Sequence, residues 1–243
     1  LSGSVIVKQV EHYTDKKKRL YIAREFVEGI KHNILKTLEY YRKSGKNVSD
    51  RIEEISHIEI EGDINEIMSA EARIWNIYYS CYPEIVRGYE FTRRDIRPPS
   101  SELNALISLG NMMLYSTVLS EIHHTHLDPT ISYLHEPAER RFSLSLDIAD
   151  IFKPVIVQRL IFNLVNNRII KKDKHFERDA GVLLNKEGRE IFMNHYNEKL
   201  GTTILHPRLR KRVSYRYLIR LEIYRLEKHL LGDEIYQSFR MWW

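Results

Sequence analysis

Residues 142–170 read FSLSLDIADIFKPVIVQRLIFNLVNNRII. The run is apolar at helical spacing and predicts one strong helix. Two features are wrong for an ordinary core helix. Asp147 and Asp150 are three apart, so they share one face, which also holds Leu144, Ile151 and Val155. Like charges at this spacing repel, and the repulsion is tolerated where a cation sits between them. Pro154 has no N–H, so it leaves the carbonyl of Asp150 without its helical partner and predicts a kink. A plainer reading also stands: acids in the first turn of a helix suit the macrodipole, and Arg140 and Arg141 are close by.

The rest of the chain is consistent with a helical body. Its 243 residues contain only ten glycines and seven prolines, about 7% against an average near 12%. A sandwich or barrel of many short strands, or a Rossmann-type sheet, needs more turn residues. The glycines form no G-x-G-x-x-G and no G-x-x-x-x-G-K-[ST], so the usual phosphate-cradling loops are missing. Cys81 is alone, which excludes a disulfide or a cysteine-based zinc site within the chain and fits a reducing, cytoplasmic setting. No apolar run approaches the roughly 18 residues of a membrane span, and no signal peptide is visible. The 38 basic and 33 acidic residues leave a net charge of +5, a mild pointer to an anionic partner.

Start and stop signals divide the chain. Asp15 caps a helix that ends at Ser44-Gly45. Ser49-Asp50 opens RIEEISHIEIE, which runs to Gly62. Asp63 caps INEIMSAEARIWNIYYS, and residues 84–100 form a loop. Ser100 and Ser101 open a long apolar helix, and residues 123–141, with Pro129 and Pro137, form a second loop. Two further helices run from about Asn185 to Gly201 and from about Ser214 to Gly232. Only SVIVKQV, within residues 1–12, reads as a strand.

On the Asp63 helix the apolar face runs Ile64, Ile67, Met68, then Glu71, then Ile74, Trp75 and Tyr78. A lone carboxylate on a buried stripe needs a metal, a cation or a solvated cleft. From this helix alone, a helix end rotated toward solvent, or a pairing with arginine, is the simpler account. His135 stands in the loop just before the acidic helix. One imidazole with several carboxylates is a hard, mostly oxygen donor set, which suits Mg²⁺ or Mn²⁺ better than zinc. His123, His124 and His126 are an alternative cluster, but their spacing fits no zinc pattern and reads as a helix C-terminus. Basic residues gather in two places. Arg212, Arg216 and Arg220 are spaced by four and predict a helical stripe among tyrosines, suited to phosphates or to an ordinary solvated surface. Arg168, Lys171, Lys172, Lys174 and Arg178 form the second cluster.

Read in order, IMSAEARIWNIYY (67–79), RRDIRPPSSELNALISLGNMMLYS (93–116), HLDPTISYLHEP (126–137) and RRFSLSLDIADIFKP (140–154) resemble the CRISPR-associated protein one family, the integrase/endonuclease of spacer acquisition. The flanking segments 7–35 and 214–239 fit the same family. The resemblance implies an all-α, multi-helix catalytic domain over residues 13–243, with residues 1–12 as the end of a small N-terminal β domain or its linker. The opening Leu1, in place of Met, agrees with that. It further implies metal ligands Glu71, His135 and Asp150, with Asp147 as a supporting catalytic acid. Family departures are Ala72, His126 and Ser132, and Ser132 bears on the loop that aims His135.

The implied activity is metal-dependent phosphodiester cleavage and transesterification on DNA, with Mg²⁺ or Mn²⁺ as cofactor, capturing spacers and inserting them into a CRISPR array. Implied partners are prespacer and repeat DNA, a second copy of the chain and the small CRISPR-associated protein two, with no membrane. Arg93, Arg94 and Arg97, together with Arg212, Arg216 and Arg220, are the candidate DNA-binding residues. Two rivals remain: a non-catalytic helical DNA-binding or assembly protein, which needs no buried acids, and a helical metal hydrolase of small substrates, which needs no basic stripe.

Overall fold

The computed structural model describes residues 3–95, 98–137 and 141–243; Arg97 and Arg140 lie outside them. The described residues form an all-α body. In chain order it comprises α1 (Gly3–Thr14), α2 (Lys16–Lys43), α3 (Ser49–Ser56), α4 (Ile64–Ser80), α5 (Tyr82–Ile85), α6 (Glu102–Ile122), α7 (Ser143–Phe152), α8 (Arg159–Asn166), α9 (Lys186–Gly201) and α10 (Tyr215–Leu231). Four short strands, β1 (Phe176–Arg178), β2 (Val182–Leu184), β3 (Thr203–His206) and β4 (Lys211–Ser214), pair as two antiparallel hairpins.

The helix starts follow side-chain caps. Asp15 accepts the N–H groups of Lys17 and Lys18 at the head of α2. Asp63 and Glu66 close a capping box on α4, and Ser101 and Ser214 cap α6 and α10. Each cap satisfies N–H groups that the first helical turn leaves open. Gly232, at φ 85°, ends α10 in the left-handed conformation that glycine adopts without strain.

Beyond the two hairpins, in a chain where only SVIVKQV reads as a strand, the structure departs from the sequence reading at four places. SVIVKQV is not a strand but part of α1: Val5, Gln9 and His12 are its buried residues, spaced by four and three, a helical period. RIEEIS forms α3, but the helix stops at Ser56 and the following residues are irregular, with Ile58 and Ile60 buried and Glu59 and Glu61 exposed. Residues 142–170 do not form one helix. Pro154 cannot donate, so the chain widens into a π turn over Pro154–Gln158, where the Gln158 N–H reaches the Lys153 carbonyl at 2.9 Å. Finally, Arg212 is not on the last helix: it lies in β4, two residues before the Ser214 cap, so the predicted stripe keeps only Arg216 and Arg220.

Helix α2 packs against α4 and α7, and α6 packs against α7 and α10. Sandwiched between α2 and α6, α7 buries nine of its ten residues, its two aspartates and two serines among them. Asp147 is 0% and Asp150 5% exposed. The last residues of the chain return to this layer. Asn33 of α2 donates to the carbonyls of Ile151 and Phe239 and accepts the N–H of Met241 at 2.7 Å.

Among the described residues α6 is long and apolar enough to cross a membrane by length and composition. Here it serves as a core helix, and it carries Glu121, ion-paired to Arg216 and Arg220. Its contact with the π turn depends on Gly110. A Cβ at that position would stand 2.5 Å from Val157 Cγ1 and 3.1 Å from Phe192 Cζ. Gly110→Ala should therefore destabilise the fold by about 1–3 kcal/mol through overpacking. Urea unfolding should show a lower midpoint at unchanged slope, and an unchanged midpoint would mean that this contact is slack.

Candidate active site

Four elements bring charged groups together: α4, the end of α7, the loop before α7 and the start of the π turn. Glu71 lies on α4 between the buried Ile67 and Trp75 and is half-buried. Its carboxyl is raised to about 7, first by burial and then by the neighbouring Asp150 charge, with Lys153 and His135 acting in the opposite sense. The Trp75 indole also steadies it, although its N–H closes no full hydrogen bond.

Asp150 occupies the last turn of α7, and its Oδ1 is buried without an aligned hydrogen-bond donor. It forms an ion pair with Lys153, three residues on. That ammonium also lies 5.6 Å from the Trp75 ring centre and 5.0 Å from that of Tyr115. Burial alone would lower the Lys153 pKa, but the Asp150 charge outweighs it and keeps the lysine charged. Lys153 is the main residue the sequence reading missed. Its only signal was its position, three residues after Asp150 on the same helical face.

His135 is held by Asp147. The ring Nδ1–H donates to Asp147 Oδ1 at 2.7 Å, a tautomer assigned from this partner. The same carboxylate accepts the backbone N–H groups of Tyr133 at 2.8 Å, Leu134 at 3.0 Å and His135 at 3.2 Å. Ser132 completes the turn by donating to the His135 carbonyl at 2.6 Å. Burial lowers the His135 pKa, but the Asp147 bond and the charges of Asp147, Asp150 and Glu71 raise it to about 9 overall. From the other side the loop is fixed by Arg19, which donates to the Tyr133 carbonyl and to Glu136. Gln9 of α1 bonds both main-chain groups of Asp128.

The sequence candidates thus sort themselves. Glu71, His135 and Asp150 lie within electrostatic reach of one another, and Asp147 stands behind His135. They do not form a ready coordination shell: among the described residues no group of three or more His, Cys, Asp or Glu is arranged to hold a metal ion. That applies equally to His123, His124 and His126, and His126 pairs with Glu227 at 2.6 Å. The donor chemistry nevertheless suits a hard cation. Asp150 has a buried oxygen held only by the Lys153 ammonium, Glu71 is a destabilised anion beside it, and Asp147 engages His135 Nδ1, which leaves Nε2 open to another partner.

The arginine candidates differ among themselves. Arg94 is anchored on α6 through Asn104 Oδ1 at 3.0 Å and Ser108 Oγ at 2.9 Å. It shares the surroundings of Tyr79 with Lys153 and Asp150. Arg93 is exposed. Arg216 and Arg220 both pair with the buried Glu121, so part of their charge is spent within the fold. Arg212 bonds Thr203 across its hairpin.

Without divalent ions, the raised pKa of His135 makes a stability contribution that is fully present below the unfolded value of about 6.5. It is lost as pH rises through about 9. Urea unfolding in EDTA should therefore show wild-type stability falling over that window, with a smaller fall in His135→Gln. An identical fall in the variant would mean that another group titrates there.

A family model described as CRISPR associated protein Cas1 matches residues 1–198. CRISPR-associated endonuclease Cas1 2 of Moorella thermoacetica is 49% identical over 245 residues, covering 100% of this chain and 75% of that protein. CRISPR-associated endonuclease Cas1 of Fusobacterium nucleatum subsp. nucleatum is 46% identical over 249 residues, covering 100% of this chain and 73% of that protein. The solved structure of a Cas1 protein from Thermotoga maritima superimposes with a TM-score of 0.85 at 41% identity, covering 97% of this chain and 73% of that one. Matched along its whole length by relatives that share nearly half its residues, the chain belongs to the Cas1 family.

Proposed function

We propose that the chain is the catalytic part of a divalent-metal-dependent DNA nuclease and integrase acting in CRISPR spacer acquisition. The observation that carries this reading is the gathering of the half-buried Glu71 and the buried Asp150 beside a cationic His135, with the Asp150 charge pushing the Glu71 carboxyl up. A structural helix has no use for such a cluster, and family membership supplies the chemistry. Glu71, Asp150 and His135 Nε2 would hold Mg²⁺ or Mn²⁺. When bound, that ion supplies positive charge to polarise the scissile phosphate and stabilise its pentacovalent state.

The remaining groups have separate tasks. Asp147 is a positioning residue: three backbone N–H groups and the His135 ring take up its carboxylate, so it is not free to act as a base. Arg94, fixed on α6, orients a phosphate. In cleavage the nucleophile is water. In integration a DNA 3′-oxygen forms the new bond to phosphorus, while the bridging P–O bond of the target strand breaks and its oxygen leaves with a proton as a new 3′-hydroxyl. A second copy of the chain and the small CRISPR-associated protein two would align the two DNA ends. Both partners rest on the family resemblance.

The test is nicking and strand transfer on labelled duplex DNA with Mn²⁺, using a chain that includes every segment found in the relatives. Glu71→Ala, His135→Ala and Asp150→Ala should each abolish activity while keeping DNA affinity in EDTA. Asp147→Asn should lose about 10–100-fold in metal affinity or rate, the usual cost of disturbing a residue that orients a ligand. Full activity in all three alanine variants would contradict the assignment. DNA binding without activity in the wild type would favour the non-catalytic rival.

A further inference from the structure

One cavity of about 880 Å³ has no task in this chemistry. It opens where the end of α8, the turn after α2 and the segment after α5 meet. Five cations line it: Lys46, Arg87, Arg168, Lys171 and Lys172, against the single carboxylate of Asp173. Among the described residues none of the five side chains has an ion-pair partner, in contrast to Arg216 and Arg220, which share Glu121. Five like charges converging on one cavity repel one another, and an anion entering it relieves that repulsion. The floor is apolar, with Val165 and Ile170 buried. The half-buried Tyr89 ring is fixed there by its hydroxyl, which donates to the Ile170 carbonyl at 3.1 Å.

This combination favours a nucleic-acid strand over a small anion. A nucleotide chain presents phosphates at regular intervals to a spread of cations and a base to an aromatic ring. Connectivity points the same way. The segment that supplies Arg87 and Tyr89 continues directly to Arg94, which lies beside the acidic cluster. Asp150 and Asn166 are separated by sixteen residues of helical chain, at most about 24 Å at 1.5 Å per residue, or about seven base steps at 3.4 Å each. We propose that the cavity is a second DNA contact, gripping backbone phosphates on the order of seven steps from the phosphate that reacts. This inference rests on the reading of DNA as the substrate.

The test is equilibrium binding of a fluorescein-labelled 30-base-pair duplex, followed by anisotropy in EDTA from about 50 to 300 mM KCl, a range over which phosphate contacts are read from the salt slope. One variant combines Arg87→Gln, Arg168→Gln and Lys172→Gln. A control combines Lys16→Gln, Lys17→Gln and Lys18→Gln, exposed cations at the start of α2. The cavity variant should bind more than tenfold more weakly at 100 mM salt, and its log–log salt slope should drop by about 2–3. The control should stay within about threefold of wild type.

Equal losses in the two variants would overturn the proposal, because charge anywhere would then suffice. So would wild-type binding by the cavity variant. Calorimetry with inorganic triphosphate distinguishes a small-anion site: triphosphate binding lost in the cavity variant, with an unchanged DNA slope, also overturns it. Because EDTA suppresses chemistry, this outcome is independent of the nicking assay. A wild type that binds DNA but never cleaves it would defeat the proposed activity and leave the cavity result standing.

Discussion

The carboxylate of Asp147 is fully buried, yet every hydrogen bond it accepts comes from the loop that carries His135. A buried carboxylate is costly unless it is bonded in this way. Without it, three main-chain N–H groups would lose their acceptor and the imidazole its orientation. Because Asp147 sits on α7, between α2 and α6, it transmits the rigidity of the most buried helix to a stretch of irregular chain. Gln9 and Arg19 hold the same loop from the opposite side. The loop is therefore clamped between the core and the first two helices.

One turn further along α7 the logic reverses. Asp147 is saturated with donors, whereas Asp150 is held by an ion pair with the Lys153 ammonium. Two acids three residues apart on one helix thus have different partners: the first is bonded to main-chain N–H groups and an imidazole, and the second to a lysine. Pro154 belongs to the same arrangement. By withholding an N–H it forces the π turn, and Lys153 stands at the point where the helix changes register. Among the described residues a cluster of unpaired cations lies elsewhere, at the end of α8, while the arginines of α10 are partly consumed by Glu121.

Much of this was legible in the sequence. Helix starts at Asp15, Asp63, Ser101 and Ser214 are local chemistry and were read directly. Glu71 stood out because it interrupts an apolar stripe, and Asp147 and Asp150 because they repeat on one face. What could not be read was non-local. Nothing near Asp147 says that its partners are N–H groups from 12 to 14 residues earlier. Lys153 beside an acid looks like any surface pair until its burial is known. The hairpins escaped notice because strands of three and four residues, rich in charge, carry too little alternation to register. Arg212 falls outside the stripe of Arg216 and Arg220 for the same reason: spacing by four is helical only if no strand intervenes.

The central claim is that α4, α7 and the clamped loop present Glu71, Asp150 and His135 to one divalent cation. Anomalous scattering from a crystal soaked in Mn²⁺ tests it most directly, since it locates the ion without relying on activity. The account predicts one strong peak bounded by Glu71, Asp150 and His135 Nε2, with the Lys153 ammonium moved off Asp150. A peak elsewhere, or none with Lys153 still on Asp150 under saturating Mn²⁺, would contradict it.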